Sequence, residues 1–195
     1  MKKLLITGFD PFGGQKINPA WETVRSLPPV IGDYEVHPLQ VPTEFARCHV
    51  PLFEAADRLC PDLVLCIGQA GGRRDVTPEY TAVNLMHASL PDNAGFAPHL
   101  LPAEQGGREA FFTPLPVHAA AEALRARGLP VSVSYSAGVY VCNTLFYRCL
   151  SHFYGTGTKA GFIHVPFFPC QAGEGVPSLA PEKIREVITE LIRLF

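Results

Sequence analysis

A cysteine, a histidine and an acid are placed in this chain where they could make and break an acyl bond. Cys142 lies in Ser134-Tyr135-Ser136-Ala137-Gly138-Val139-Tyr140-Val141-Cys142-Asn143, where a strand pattern gives way to a helical one. A thiol in the first turns of a helix sits in the positive potential of unpaired amides, which favours the thiolate. The hydroxyls and the glycine ahead of it suit a tight turn whose amides hold an oxyanion. The plainer reading of an isolated cysteine is a buried structural residue. A thiol nucleophile needs a base within hydrogen-bond reach and a third group to orient that base. Of the 7 histidines, His164 stands out, because Gly161-Phe162-Ile163-His164-Val165-Pro166-Phe167 puts it near the carboxyl end of a strand. His152 lies on the Cys142 helix but about 15 Å further along, too far to touch the thiol. For the orienting acid, Gly71-Gly72-Arg73-Arg74-Asp75-Val76-Thr77-Pro78-Glu79 offers both Asp75 and Glu79, and spacing does not choose between them. A solvated loop charge is the plainer reading of either.

Other chemistries fit less well. Gly8-Phe9-Asp10-Pro11-Phe12-Gly13-Gly14 is a glycine-rich turn after a first strand, but it lacks both the dinucleotide spacing and the lysine of a phosphate loop. Phe9 and Phe12 there make an apolar site or simply fill the core. There is no His-x-x-x-His, no Cys-x-x-Cys and no acidic triplet, so no metal is expected. A serine nucleophile would want a Gly-x-Ser-x-Gly elbow, which is missing.

These residues need a scaffold, and periodicity supplies one. Strands are predicted at Lys3–Thr7, Tyr34–Val41, Asp62–Gly68, Glu79–His87, Val131–Tyr135 and Ala160–Val165. Pro38 marks the second as an edge or bulged strand. Helices are predicted from Asn18-Pro19, over Thr43–Cys60 with a kink at Pro51, and over Pro116–Arg127, Gly138–Tyr154 and Ala180–Phe195. Ser89–Arg108 is rich in Pro and Gly and reads as a functional flap or as a segment with hidden short strands. The alternation predicts an α/β fold, a three-layer sandwich with a mostly parallel central sheet, in one domain over 1–195. Active residues of such folds gather at the carboxyl ends of strands.

Composition narrows the function further. With 16 Lys+Arg against 18 Asp+Glu and a net charge of -2, no basic surface is expected for nucleic acid. No apolar run is long enough for a bilayer, and Leu4–Ile6 is too short for a signal peptide, so a cytoplasmic protein is expected. The 6 cysteines form no tight framework and are read as reduced thiols.

Taken together these motifs resemble the pyrrolidone-carboxylate peptidases, or type I pyroglutamyl peptidases. The resemblance runs nearly end to end: Gly8 to Gly14, Asn18-Pro19-Ala20-Trp21, Gly68-Gln69-Ala70-Gly71-Gly72-Arg73, Glu79, Pro91-Asp92-Asn93, Ser136 to Asn143, and His164-Val165-Pro166-Phe167. It implies a phosphorylase/hydrolase-like α/β cysteine peptidase, unlike papain in fold, that removes N-terminal pyroglutamate from peptides without a cofactor. The implied triad is Cys142 as nucleophile, His164 as base and acid, and Glu79 as orienting acid. The implied substrate pocket is Phe9, Phe12, Thr43, Leu90, Tyr140 and Val141, with the backbone carbonyl of Gln69 accepting the lactam N–H. A homo-oligomer, a tetramer, is also implied. Tyr80, Ser89 and Val139 depart from the residues usual in the family. Two other classes share the broad pattern: a silent pyroglutamyl-binding module, which would bind without turnover, and a nucleoside phosphorylase-like enzyme, which would need phosphate.

Overall fold

The computed structural model describes residues 1–195. Its elements are β1 (Lys2–Phe9), α1 (Pro19–Val24), β2 (Val30–Ile31), β3 (Tyr34–Val41), α2 (Val50–Leu59), β4 (Leu63–Gln69), β5 (Thr77–Glu79), β6 (Thr81–Val83), β7 (Ala110–Phe112), α3 (Val117–Ala126), α4 (Val141–His152), β8 (Lys159–Val165) and α5 (Pro181–Leu194). The main sheet has the order β2-β3-β1-β4-β8-β5. Its four long strands run parallel, and the short β2 and β5 close the two edges antiparallel.

The unbroken apolar run of β4 is explained by burial on both faces. Leu63, Leu65 and Ile67 join one core with α1, α3 and α5, while Val64 and Cys66 join a second core with α2 and α4. This is the three-layer α/β sandwich with a mostly parallel sheet. On the first face, α5 fully buries Ile184, Val187, Ile188, Leu191 and Ile192, each worth about 1.5–3 kcal/mol of apolar transfer. Helix α1 starts where Asn18 and Pro19 predict: the Asn18 side chain accepts from the Ala20 amide at 3.0 Å. No helix is long and apolar enough to cross a membrane.

Several elements differ from expectation. Thr43–Cys60 is helical only over Val50–Leu59, because Pro51 lacks an N–H and opens the helix instead of kinking it. β3 is not an edge strand, but β2 pairs only with Tyr34 and Glu35, so Pro38 has a partner strand on one side alone. The expected strand Glu79–His87 is broken: β5 ends at Glu79, and β6 pairs instead with β7 in a separate two-stranded sheet. Val131–Tyr135 makes only isolated bridges to β5 and its approach, at Val131 and Ser134. Ser89–Arg108 is irregular, with one bridge from Met86 to Leu101.

Candidate active site

Residue pairing between β4, β8 and β5 brings the chemistry together. Gly68 lies in register with His164, and Thr77 of β5 lies opposite His164 on the other side. Glu79, two places along β5, is diagonal to His164 on the same face, within reach of a long side chain. Nδ1 of His164 donates to Oε1 of Glu79 at 2.7 Å. The carboxylate only accepts, so this bond places the ring proton on Nδ1 and leaves Nε2 as the acceptor of the neutral ring. The Phe162 ring packs against the imidazole at 4.8 Å between centroids.

Cys142 stands in the first turn of α4, above this pair. A Cβ on Gly68 would lie 3.0 Å from its Sγ and 2.7 Å from the Phe162 ring. Glycine at 68 is therefore what lets the thiol settle over β4, at the level of His164 on the neighbouring β8. The turn leading to α4 takes φ +76° at Gly138, a conformation that side chains disfavour. No side chain caps α4, so the amides of its first turn point into the site unpartnered by the helix. Asn143, fully buried, anchors the helix: it donates to the carbonyls of Val83 and Leu85 and accepts from the Val83 amide.

Burial sets the electrostatics. It pushes the Cys142 thiol up to about 12, Glu79 adds to this, and Arg73 opposes it. The helix start alone leads one to expect the opposite shift; here the desolvation of the thiol outweighs the amides. Burial also lowers His164 below the usual imidazole value; the bond and charge of Glu79 raise it, and Arg73 lowers it further. Burial raises Glu79, but the bond and charge of His164 and the charge of Arg73 together hold it below the usual carboxylate range. The resting site thus has a neutral thiol beside a neutral imidazole backed by a carboxylate.

Phe12, His87, Ala88, Ser89, Leu90, Val139 and Tyr140 line a cavity of about 330 Å³ at the turn that leads to Cys142, although none of Cys142, His164 and Glu79 is in its lining. Phe12 faces Tyr140 at 6.1 Å. Phe9 and Val141 are buried beneath, in the core shared with α4, and Phe9 packs on Phe162. Thr43 is buried and bound to Asp10, through its amide at 2.7 Å and its hydroxyl at 3.1 Å. Gln69 ends β4, and its side-chain oxygen accepts from Gln171 at 3.3 Å.

Three motif residues without an assigned role prove to hold this wall. Asp10 and the carbonyl of Pro11 accept from Asn93, the Asp92 carboxylate accepts from the amides of Phe45, Ala94 and Phe96, and the Tyr140 hydroxyl donates to Pro91. Their clustering in Gly-Phe-Asp-Pro-Phe and Pro-Asp-Asn was the available signal. His87 lines the cavity without any such signal. Tyr80 points away from Glu79, as strand alternation requires, into an aromatic cluster with Phe112, His118 and Tyr135. A larger cleft of about 750 Å³ lies near His118 and Tyr135, and none of the three acyl-transfer candidates lines it. No three His, Cys, Asp or Glu side chains converge in a way that would hold a metal ion.

The family profile described as pyroglutamyl peptidase matches residues 2–194. The chain belongs to the pyroglutamyl peptidase family. It is 50% identical over 183 residues to the pyrrolidone-carboxylate peptidase of Levilactobacillus brevis, covering 91% of this chain and 89% of the relative. It is 45% identical over 193 residues to that of Bacillus thuringiensis, covering 96% and 90%. Among solved structures, pyroglutamyl peptidase I of Bacillus amyloliquefaciens superposes with a TM-score of 0.94 at 40% identity, covering 100% of this chain and 96% of that one. The pyrrolidone carboxyl peptidase of Thermococcus litoralis also gives 0.94, at 35% identity, covering 100% and 93%. Membership makes the protein an enzyme, a hydrolase of the pyroglutamyl-peptidase I class.

Proposed function

We propose that this peptidase removes N-terminal pyroglutamyl residues through a Cys142–His164–Glu79 triad and an acyl-enzyme. The observation that carries the reading is the 2.7 Å bond from His164 to the buried Glu79, with the Cys142 thiol seated over Gly68 at the level of His164. Sγ attacks the pyroglutamyl carbonyl carbon while its proton passes to Nε2 of His164. Because both groups rest neutral, the proton moves as attack proceeds. The amides of the first turn of α4 receive the oxyanion. The C–N bond then breaks, His164 protonates the leaving amine, and a thioester remains. Water attacks the thioester, gives its proton to Nε2, and the thiol is restored as pyroglutamate leaves. No step uses a metal or an organic cofactor.

Pyroglutamate is an uncharged lactam with apolar methylenes and a polar N–H and ring carbonyl. Phe12, Tyr140 and Leu90 suit its ring, with Phe9 and Val141 beneath and Thr43 fixing the wall. The Gln69 carbonyl is the acceptor we assign to the N–H. A glutaminyl terminus carries an ammonium whose unpaired burial is costly. Proline lacks the ring carbonyl, and leaving a pocket polar group unpaired costs about 1–3 kcal/mol, or roughly 5- to 150-fold in discrimination. A thiol that must stay reduced fits a reducing compartment, so we place the enzyme in the cytoplasm.

The test is release of aminocoumarin from pyroglutamyl-aminocoumarin under reducing conditions, with prolyl and glutaminyl analogues alongside. Turnover of the pyroglutamyl compound alone is expected. Equal turnover of all three, or none from the folded and reduced protein, overturns the reading.

A further inference from the structure

Arg73 lies on the loop between β4 and β5 and reaches into the site from its outer side, with 28% of its side chain exposed. Its Nη1 donates to Oε1 of Glu79 at 2.6 Å, the same oxygen that accepts from His164. The same nitrogen also bonds the hydroxyl of Thr77. Nη2 donates to the Ser136 carbonyl at 3.3 Å, in the turn that leads into the Cys142 helix. One guanidinium thus ties the acid and its strand to the nucleophile's turn, side chain to backbone, beyond the Glu79–Ser134 bridge that already joins the two segments. A planar fork is suited to this, since it fixes direction as well as charge.

We propose that Arg73 is a positioning residue for the reaction: it sets the orientation of the Glu79 carboxylate and, through it, that of His164, and it holds the Cys142 turn at the right distance. The inference rests on the triad reading above. The shared oxygen matters physically. A lone buried carboxylate at 2.7 Å would draw a proton onto the imidazole and keep it there. Burial is what chiefly favours the neutral ring, and a guanidinium on the same oxygen adds to it by offsetting part of the carboxylate's charge. The charged groups that act on His164 are Glu79 of β5 and Arg73 of the loop; those that act on Cys142 are Glu79, Arg73 and Cys66 of β4. Arg73 acts on all of them in one direction, favouring loss of a proton from Glu79, His164 and Cys142 alike. Removing the cation therefore lets both the imidazole and the thiol keep protons to higher pH.

The experiment compares wild type with Arg73→Met, Arg73→Lys and, as a control, Arg127→Met, which breaks the surface pair with Glu190. Each is assayed for kcat, KM and the pH dependence of kcat/KM on pyroglutamyl-aminocoumarin. The rate of Cys142 alkylation by iodoacetamide against pH is read by mass on the Cys142 peptide. Arg73→Met should lower kcat by about 10- to 100-fold through misplacement of the reacting groups, with KM nearly unchanged. The acid limb of kcat/KM and the alkylation profile should both move to higher pH. Arg73→Lys should keep the pH profiles near wild type while recovering only part of kcat, because charge is retained and the fork is lost. Arg127→Met should match wild type throughout. Full activity of Arg73→Met overturns the inference, as does a loss in which the pH and alkylation profiles stay in place. If Arg73→Met does not fold, Arg73→Lys decides: wild-type kcat overturns the inference. Failure of wild type itself to turn over the substrate sinks the triad reading instead, and the alkylation profiles still report on Arg73.

Discussion

On one face of the central sheet, β4 and β8 turn Leu63, Leu65, Ile67, Ile163 and Val165 toward a core closed by α5. On the other, the same strands turn Cys66, Gly68, Phe162 and His164 toward α4. The first face holds aliphatic side chains with no accessible surface on α5. The second holds rings, thiols, a carboxylate in a fully buried position and glycine where a side chain would collide. A period of two residues is what permits this division, since neighbours on a strand never share a face. The contrast teaches that both faces bury a core but only the second also carries the chemistry, although the strands are common to both.

The sharpest way to break that comparison is Cys142→Ser. On the second face, this change should lower kcat by about 10⁴-fold or more with little change in unfolding free energy. Equal loss of stability and activity would show that the faces are not separate. Glu79→Gln should come next, lowering kcat/KM by about 10³-fold while the pyroglutamyl KM stays near wild type. Steady-state kinetics on the aminocoumarin substrate reads both. On the first face, Leu191→Ala should do the reverse. It should cost about 2–5 kcal/mol in urea unfolding and leave kcat unchanged at temperatures where the variant is folded; a large drop in kcat would mean that α5 props the site.

The smallest effect is one of pH. His164 must be neutral to accept the thiol proton, and burial with Arg73 holds it below the usual imidazole value. Activity should therefore persist as pH falls to about 6.5 and be lost only as pH falls through the lowered value. A kcat/KM profile whose acid limb lies above that point would contradict the neutral resting pair.

Helix positions were legible where caps and breakers act locally, as at Asn18 and over α3 and α5. They failed where a proline's effect depends on where packing starts the helix, as at Pro51. β7 escaped notice because a three-residue strand carries too little pattern, and β6 merges into the one long strand predicted over Glu79–His87. In the site, strand and helix positions point to Cys142 and His164, only the family resemblance chooses Glu79 over Asp75, and the structure bonds Glu79 to His164. Asp10, Asp92 and Asn93 lie in the same motifs, yet their work in pinning Leu90 and Tyr140 against Phe12 is visible only as hydrogen bonds.

By itself, the sequence determined what is local or periodic: the alternation of strands and helices, the two-sided burial of β4, the glycine before the Cys142 helix, and the residue types able to perform acyl transfer. Tertiary structure alone decided proximity. His164 and Glu79 stand 85 positions apart and meet because β5 runs antiparallel to β8 in a register that sets them diagonally. Asp75, just before β5, makes no side-chain hydrogen bond at all. Tertiary structure also decided the sign of the thiol's shift, since the helix start is a local effect while desolvation depends on every element that closes over Cys142.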